Sequence, residues 1–161
     1  MTPATMSKTQ KIVLSGLVMA IYIVVLFVSQ SFSFGAYQMR LATALYALAY
    51  PFGFLVIPLG LANGIANTFG GLGLVDILGG FVVGCLTAGV VSLLRRYKAP
   101  DWSVFFPIFL IPSLVAPLWL SGLLGLPYGA LVASLLVGQA VPGVLGVVIV
   151  KLIFSRLKGV K

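Results

Sequence analysis

Long apolar stretches, separated by short polar or glycine-rich breaks, run along the whole chain and predict helices. A helix needs roughly 20 apolar residues to cross a bilayer, and fewer where the helix is broken or the bilayer is locally thin. On this pattern we expect six helices, near residues 11–29, 40–52, 54–69, 74–95, 104–124 and 129–155. The fifth contains Pro107, Pro112 and Pro117, so we expect it to be kinked or partly irregular. The pattern therefore predicts an all-α protein with six transmembrane helices.

The composition indicates that lipid surrounds most of the chain. Hydrophobic residues make up 61% of the 161 residues, charged residues 7%, and mean hydropathy is +1.20. A soluble domain needs more polar residues to cover its wet surface. We expect a polar tail at residues 1–10, followed by one transmembrane domain at 11–161. The run 12–28 is too long for a signal-peptide core and lacks a clear cleavage site, so we expect it to be retained.

The positions of the ten cations predict the orientation of the chain. Nine lie at the N-terminus, around residues 95–98 and near the C-terminus, and only Arg40 lies elsewhere. Cytoplasmic loops are enriched in Lys and Arg, and six helices place all three clusters on that side, whereas five would divide them. We expect a multi-pass protein of the cell membrane with both termini in the cytoplasm. Clustering at helix ends differs from the aromatic-interleaved basic face that binds nucleic acid, so we expect no nucleic-acid partner.

Side chains for enzyme chemistry or metal binding are scarce. The chain has no histidine, one cysteine and two distant aspartates, which excludes a Cys/His zinc set and makes a poor carboxylate pair. It also lacks the G-x-x-x-x-G-K-[ST] loop that binds nucleotide phosphates. We therefore expect a protein that is not an enzyme, uses no metal or cofactor, and takes energy from partner subunits or an ion gradient.

Six polar residues stand where membrane insertion would disfavour them, and most of them converge on the outer side in the six-helix topology. They are Gln38, Arg40, Asn63, Asn67, Asp76 and Gln139. Such residues usually face a partner or a cavity, so we expect a substrate-binding site there. Asp76 would accept hydrogen bonds from a ligand at the start of the fourth helix, where a carboxylate is favoured. The alternative is a structural ion pair between Arg40 and Asp76.

Small residues recur at a spacing of four on three of the predicted helices. They are Gly16 and Ala20, Gly60 and Gly64, and the series Gly80, Gly84 and Ala88. Residues four apart share a helix face, and small side chains let two helices approach closely. For any single pair we expect packing inside the protein. Gly16 and Ala20 leave open the alternative that the first helix docks another membrane protein.

Two sequence elements resemble the QueT family of substrate-binding S components of energy-coupling factor (ECF) transporters. They are FGAYQMRLATAL at residues 34–45 and LANGIANTFGGLGLVDILGG at 61–80. The resemblance implies a six-helix protein that captures a queuosine precursor, a 7-deazaguanine base, from outside the cell. It also implies a transmembrane coupling subunit that contacts Gly16 and Ala20, and two cytoplasmic ABC-type ATPases. Substrate-binding roles are carried over to Gln38, Arg40, Asn67 and Asp76.

One position departs from the family pattern and bears on the substrate. Thr43 stands three residues after Arg40, where the family usually has an acidic residue. The expected ligand is then a neutral relative of the aminomethyl base or another small heterocycle. Two other classes stay open: a stand-alone secondary transporter, for which Asp76 alone is thin evidence, and a structural or assembly protein of the membrane.

Overall fold

The computed structural model describes residues 5–34 and 38–158, and these residues are helical or lie in short connections. The α-helices are α1 (Lys8–Val28), α2 (Gln30–Ser33), α3 (Val56–Asn67), α4 (Leu74–Arg96), α5 (Phe105–Val115), α6 (Pro117–Leu124) and α7 (Tyr128–Lys158). A 3₁₀ helix spans Leu41–Ala49, and 3₁₀ turns lie at Gly53–Leu55, Thr68–Gly70 and Asp101–Val104. Parts of the predicted tail and of the first family element, residues 1–4 and 35–37, lie outside the described residues.

Within residues 5–34 and 38–158, five segments are long and apolar enough to cross a membrane, and they match five of the six predicted helices. They are Lys8–Val28, Gly53–Gly70, Leu74–Arg96, Asp101–Leu124 and Tyr128–Ser155. The first begins three residues earlier than predicted because Ser7 and Gln10 form a capping box, in which each side chain binds the other's backbone N–H.

The second predicted helix, 40–52, is a shorter element than expected. It forms the nine-residue 3₁₀ helix, which at a rise of about 2.0 Å per residue covers about 18 Å of the roughly 30 Å hydrocarbon core. Ala42, Ala44, Ala47 and Ala49 are buried, and these small side chains let the segment pass through the middle of the bundle against α4 and α7. The described residues therefore form five of the six predicted membrane-spanning helices, and the second predicted helix is the exception.

Helices α1 and α3 run in the same direction, although they are consecutive long helices. Near their starts, the Lys11 ammonium lies 5.8 Å from the centroid of the Phe54 ring. Near their ends, the ring centroids of Phe27 and Phe69 lie 5.2 Å apart. A chain that begins two successive helices at the same end must return between them, so the segment between α1 and α3 carries it back through the bundle.

The 3₁₀ helix makes this return and connects the two ends of the molecule. Just before it begins, Arg40 donates a hydrogen bond to Asn67 at the end of α3. Just after it ends, Tyr50 packs edge-on against Phe154 near the end of α7, with ring centroids 5.8 Å apart. The guanidinium of Arg95 lies 4.6 Å from the Phe154 centroid. We call the end at Arg40 and Asn67 the polar end, and the end at Arg95 the basic end.

Prolines interrupt the fifth predicted helix, which confirms the expected irregularity. The helix divides into α5, which ends at Val115, and α6, which begins with Pro117. Proline has no backbone N–H to donate, so the helical hydrogen-bond series is broken at this point. Pro112 is a second interruption, inside α5. The break lies in the wall of the polar end.

The small residues of α3 and α4 face each other, which confirms internal packing for this pair of helices. A Cβ atom on Gly84 would lie 2.8 Å from the Cα of Gly60, and one on Gly64 would lie 3.2 Å from the Ile77 carbonyl oxygen. Both distances are shorter than an ordinary contact, so larger residues would force the two helices apart. We call this contact the α3–α4 seam.

Candidate functional site

All six predicted site residues lie at the polar end, although they come from distant parts of the sequence. Arg40 is half-buried, and the other five are almost fully buried, with exposures of 4% or less: Gln38, Asn63, Asn67, Asp76 and Gln139. Buried polar groups are costly unless they are hydrogen-bonded. The hydrogen-bond partners of each side chain therefore show which polar groups are satisfied within the protein and which are left for a ligand.

A small internal cavity lies between these residues. Its volume is about 10 Å³, which is room for about one water molecule. Apolar residues of α4, α5 and α7 form part of its wall, together with Ala116 between α5 and α6 and Trp119 of α6. Four of the six predicted residues line it: Gln38, Arg40, Asn63 and Gln139. The other polar side chains of the lining are Thr43 and Tyr46.

Asn67 and Asp76 stand behind the cavity lining and hold residues that belong to it. Asn67 accepts a hydrogen bond from Arg40 Nη2 and donates one from its Nδ2 to the Asp76 backbone carbonyl at 2.8 Å. The Asp76 carboxylate accepts a hydrogen bond from Trp119 Nε1 at 3.0 Å. In the described contacts the Arg40 guanidinium thus pairs with an amide and the carboxylate with an indole. The alternative of a structural Arg40–Asp76 ion pair is not what the side chains form.

Two buried polar atoms of the cavity lining have no hydrogen-bond partner among the described residues. They are Arg40 Nε and Gln139 Nε2. An N–H group that is buried without a partner costs about 1–3 kcal/mol, and more when it is charged, so native proteins contain few of them. Both groups belong to residues that face the same cavity. Together they offer two donors to an acceptor-bearing molecule placed there.

Thr43 controls how Gln139 presents its amide. The Thr43 hydroxyl lies 2.7 Å from the Arg40 backbone carbonyl and 2.8 Å from Gln139 Oε1. A hydroxyl has one proton, so it donates to only one of these oxygens. If it donates to Arg40, a Gln139 amide rotated by half a turn donates to Thr43 and directs its oxygen into the cavity. Gln139 can therefore meet either a donor or an acceptor.

The polar cluster also contains two tyrosines, which were not predicted from the sequence. Tyr22 and Tyr46 are fully buried; their hydroxyls lie 3.1 Å apart, and Tyr22 also donates to Asn63 Oδ1 at 3.1 Å. Asn63 in turn donates to the Gly80 carbonyl at 2.6 Å, so the network reaches α4. A signal was available: Tyr22 is in the middle of α1, away from the helix ends where membrane tyrosines usually lie.

A close backbone contact brings Gln38 beside Gln139. A Cβ atom on Gly138 would collide with the backbone carbonyl oxygen of Gln38. Only glycine leaves room for the chain to pass α7 at this distance. Gln38 and Gln139 can therefore line the same cavity.

The predicted docking residues lie away from this site, on the outer surface of α1. Gly16 and Ala20 are both exposed, and a Cβ atom on Gly16 would meet no atom within 4 Å. Internal packing, expected for small-residue pairs in general, does not apply to this one among the described residues. The proposed docking role is taken up below.

The fold and the site together define the class of the protein: a multi-pass helical membrane protein with a polar cavity closed inside one end. The sequence model of the QueT transporter family matches residues 12–155, which is nearly the whole chain. The chain therefore belongs to the QueT transporter family, and the resemblance inferred from its two sequence elements is confirmed. No curated protein and no solved structure matches it.

Proposed function

We propose that the protein is the S component of an ECF importer and captures a 7-deazaguanine base from outside the cell. The observation that carries this proposal is the cavity at the polar end, where Arg40 Nε and Gln139 Nε2 are buried without a partner in the described part of the chain. A fused-ring base of this type has a carbonyl oxygen that accepts hydrogen bonds, and beside it a ring N–H and an amino group that donate them. The carbonyl oxygen has two lone pairs and could accept from both donors, and the gain on binding would be the larger because no described residue satisfies either donor beforehand.

The site is organised before a ligand arrives, which supports a binding role. Asn67 holds the Arg40 guanidinium by one nitrogen, and the Phe34 ring lies 5.3 Å from its central carbon. Asp76 holds the indole of Trp119, which lines the cavity and is an aromatic side chain of the kind that packs against planar rings. A side chain that is already oriented loses less conformational freedom on binding. We propose that Asn67 and Asp76 act on the ligand through the residues that they position.

Binding requires the cavity to open, because a bicyclic base is much larger than about 10 Å³. We expect the wall formed by α5 and α6 to move. Pro112, Ala116 and Trp119 line the cavity there, on both sides of the helix break at Pro117. Helices bend at prolines because the backbone hydrogen bonds are already interrupted. The α6 segment can thus shift without breaking further helical bonds.

The remaining parts of the transporter are proposed from the sequence. Residues 11–161 would form a single substrate-binding domain that crosses the membrane six times if the 3₁₀ helix is counted. The basic end would face the cytoplasm, following the positive-inside rule, and the polar end would face outside. A coupling subunit would dock on Gly16 and Ala20, and two cytoplasmic ATPases would hydrolyse ATP, because the chain has no phosphate-binding loop.

Mass spectrometry of small molecules released from the purified protein tests the substrate class directly. We expect a 7-deazaguanine base in the extract of the wild-type protein and not in that of Gln139→Leu, which has a similar volume and no amide. Calorimetric titration of the bases into both proteins should give the same ranking. Absence of a 7-deazaguanine from the extract, combined with no binding on titration, would contradict the proposal. Ion-driven uptake by vesicles that contain this chain alone would instead support the secondary-transporter alternative.

A further inference from the structure

The described lining of the cavity carries a positive charge and no negative charge. Of the described residues that line it, Arg40 alone carries a charge. The other polar groups of the lining are amides and hydroxyls of Gln38, Thr43, Tyr46, Asn63 and Gln139. The lining thus presents one permanent positive charge and no carboxylate, within a site that is largely closed to water.

The chain has two acidic residues, and neither lines the cavity. Asp101 borders a surface cleft at the basic end, together with Tyr50 and Arg95. Asp76 is at the polar end, but its carboxylate accepts the Trp119 indole N–H and does not line the cavity. A cationic ligand group would therefore approach the Arg40 guanidinium without an anion beside it.

We infer that the site selects uncharged 7-deazaguanine bases and discriminates against those that carry an ammonium group. This inference rests on the proposed function and narrows its substrate class. The unpaired donor of Arg40 requires an acceptor on the ligand, and Gln139 can meet a donor or an acceptor without adding charge. A neutral base satisfies both requirements.

The expected discrimination follows from the repulsion between two positive charges. In a cavity of this kind an ammonium group would lie within about 5–10 Å of the guanidinium, where an effective dielectric constant of about 20 applies. The resulting penalty corresponds to roughly 10- to 300-fold weaker binding. A primary alkyl amine is protonated at neutral pH, so the penalty acts under physiological conditions.

Thr43 is the position from which this selectivity can be reversed. Its side chain is buried in the lining, with its hydroxyl between Arg40 and Gln139. A carboxylate introduced there would enter the cavity and compensate the Arg40 charge. Thr43→Glu should thus accept an ammonium-bearing base, whereas Thr43→Gln, which has the same shape without the charge, should not.

The test compares two probes on the full-length protein in lipid nanodiscs. The neutral probe is 7-cyano-7-deazaguanine, and the cationic probe is 7-aminomethyl-7-deazaguanine. We expect the wild-type protein to bind the neutral probe roughly 10- to 300-fold more tightly. In Thr43→Glu we expect this gap to close or reverse, and in Thr43→Gln we expect it to remain. If either Thr43 variant fails to fold, the comparison of the two probes on the wild-type protein still decides.

Each outcome separates this inference from the proposed function. Equal or tighter binding of the cationic probe by the wild-type protein overturns the inference and leaves the proposed function standing. Selective loss of the cationic probe in Asp76→Asn would identify Asp76 as an ammonium acceptor and also overturn it. Binding of neither probe overturns the proposed substrate class, and the inference falls with it.

Discussion

The same spacing of small residues produces opposite surroundings on α1 and on α4. On α4, Gly80 and Gly84 are buried in the α3–α4 seam, where an added Cβ atom on Gly84 would lie 2.8 Å from a neighbouring backbone atom. On α1, Gly16 and Ala20 are exposed, and an added Cβ atom on Gly16 would touch nothing. Of the α1 segment 17% is buried, compared with 33% of the α4 segment Leu74–Arg96. One face holds the bundle together, and the other is available.

The difference shows what a small-residue pattern means in a membrane helix. The pattern permits two helices to approach closely, but it does not state which helix approaches. The α3–α4 seam continues toward the site, since Asp76 lies one turn before Gly80, and Asn63 of α3 donates to the Gly80 carbonyl. The seam therefore positions residues of the proposed binding site, while the α1 face points away from them. This division predicts that changes on the two faces affect different properties.

The largest change in the isolated protein is expected from a single methyl group in the seam. Gly84→Ala places a Cβ atom against Gly60 and 3.2 Å from the Tyr46 hydroxyl, so the free energy of unfolding should fall by about 1–3 kcal/mol. Gly89→Ala is the matched control on the same helix, because its nearest contact would be an ordinary 3.9 Å. Thermal unfolding in detergent measures both. Equal stability of the two variants would show that the seam tolerates separation.

A smaller effect is expected where the seam meets the site. Asp76→Asn keeps the size of the side chain and weakens its charge-assisted hydrogen bond with Trp119, so ligand affinity should fall by about 1.5 kcal/mol, or roughly tenfold. The control is Asp101→Asn, which removes the other carboxylate and should leave affinity unchanged. Titration of a 7-deazaguanine base into each folded variant gives the comparison. Unchanged affinity in Asp76→Asn would remove this residue from the binding mechanism.

On the α1 face we expect no change in the isolated protein. Gly16→Leu combined with Ala20→Leu should alter the free energy of unfolding by less than about 0.5 kcal/mol, because these positions face open space. Ligand affinity should also stay the same. Assembly with the proposed coupling subunit, measured by co-purification, should be lost because bulky side chains would hold a partner helix away. Loss of ligand binding together with assembly would indicate that α1 packs internally after all.

The orientation of the basic end and the polar end in the membrane can be tested with substitutions that barely perturb the protein. In a Cys85→Ala background, single cysteines at Met6 and at Lys98 should resist an impermeant thiol reagent applied to intact cells, since the basic end is expected in the cytoplasm. A cysteine at Leu126, in the connection between α6 and α7, should react. Labelling of Met6 or Lys98 from outside would contradict the proposed topology.

Local patterns in the sequence were sufficient for much of this description. The lengths of the apolar runs predicted five spanning segments within a few residues, and the prolines predicted the break between α5 and α6. Unfavourably placed polar residues identified six members of the buried cluster, and two short elements indicated the family. These features succeed because helix length, helix interruption and the cost of burying polar groups depend on neighbouring residues in the chain.

Only the tertiary structure decided how these parts combine. It placed the 3₁₀ helix through the centre, brought Tyr22 and Tyr46 into the site, and put one small-residue face inside and the other outside. It also paired Asp76 with Trp119, 43 residues away, and Thr43 with Gln139, 96 residues away. The physical reason is that a hydrogen bond requires two groups to meet at about 3 Å. That distance depends on how the helices pack, and the spacing of residues along one helix carries no information about it.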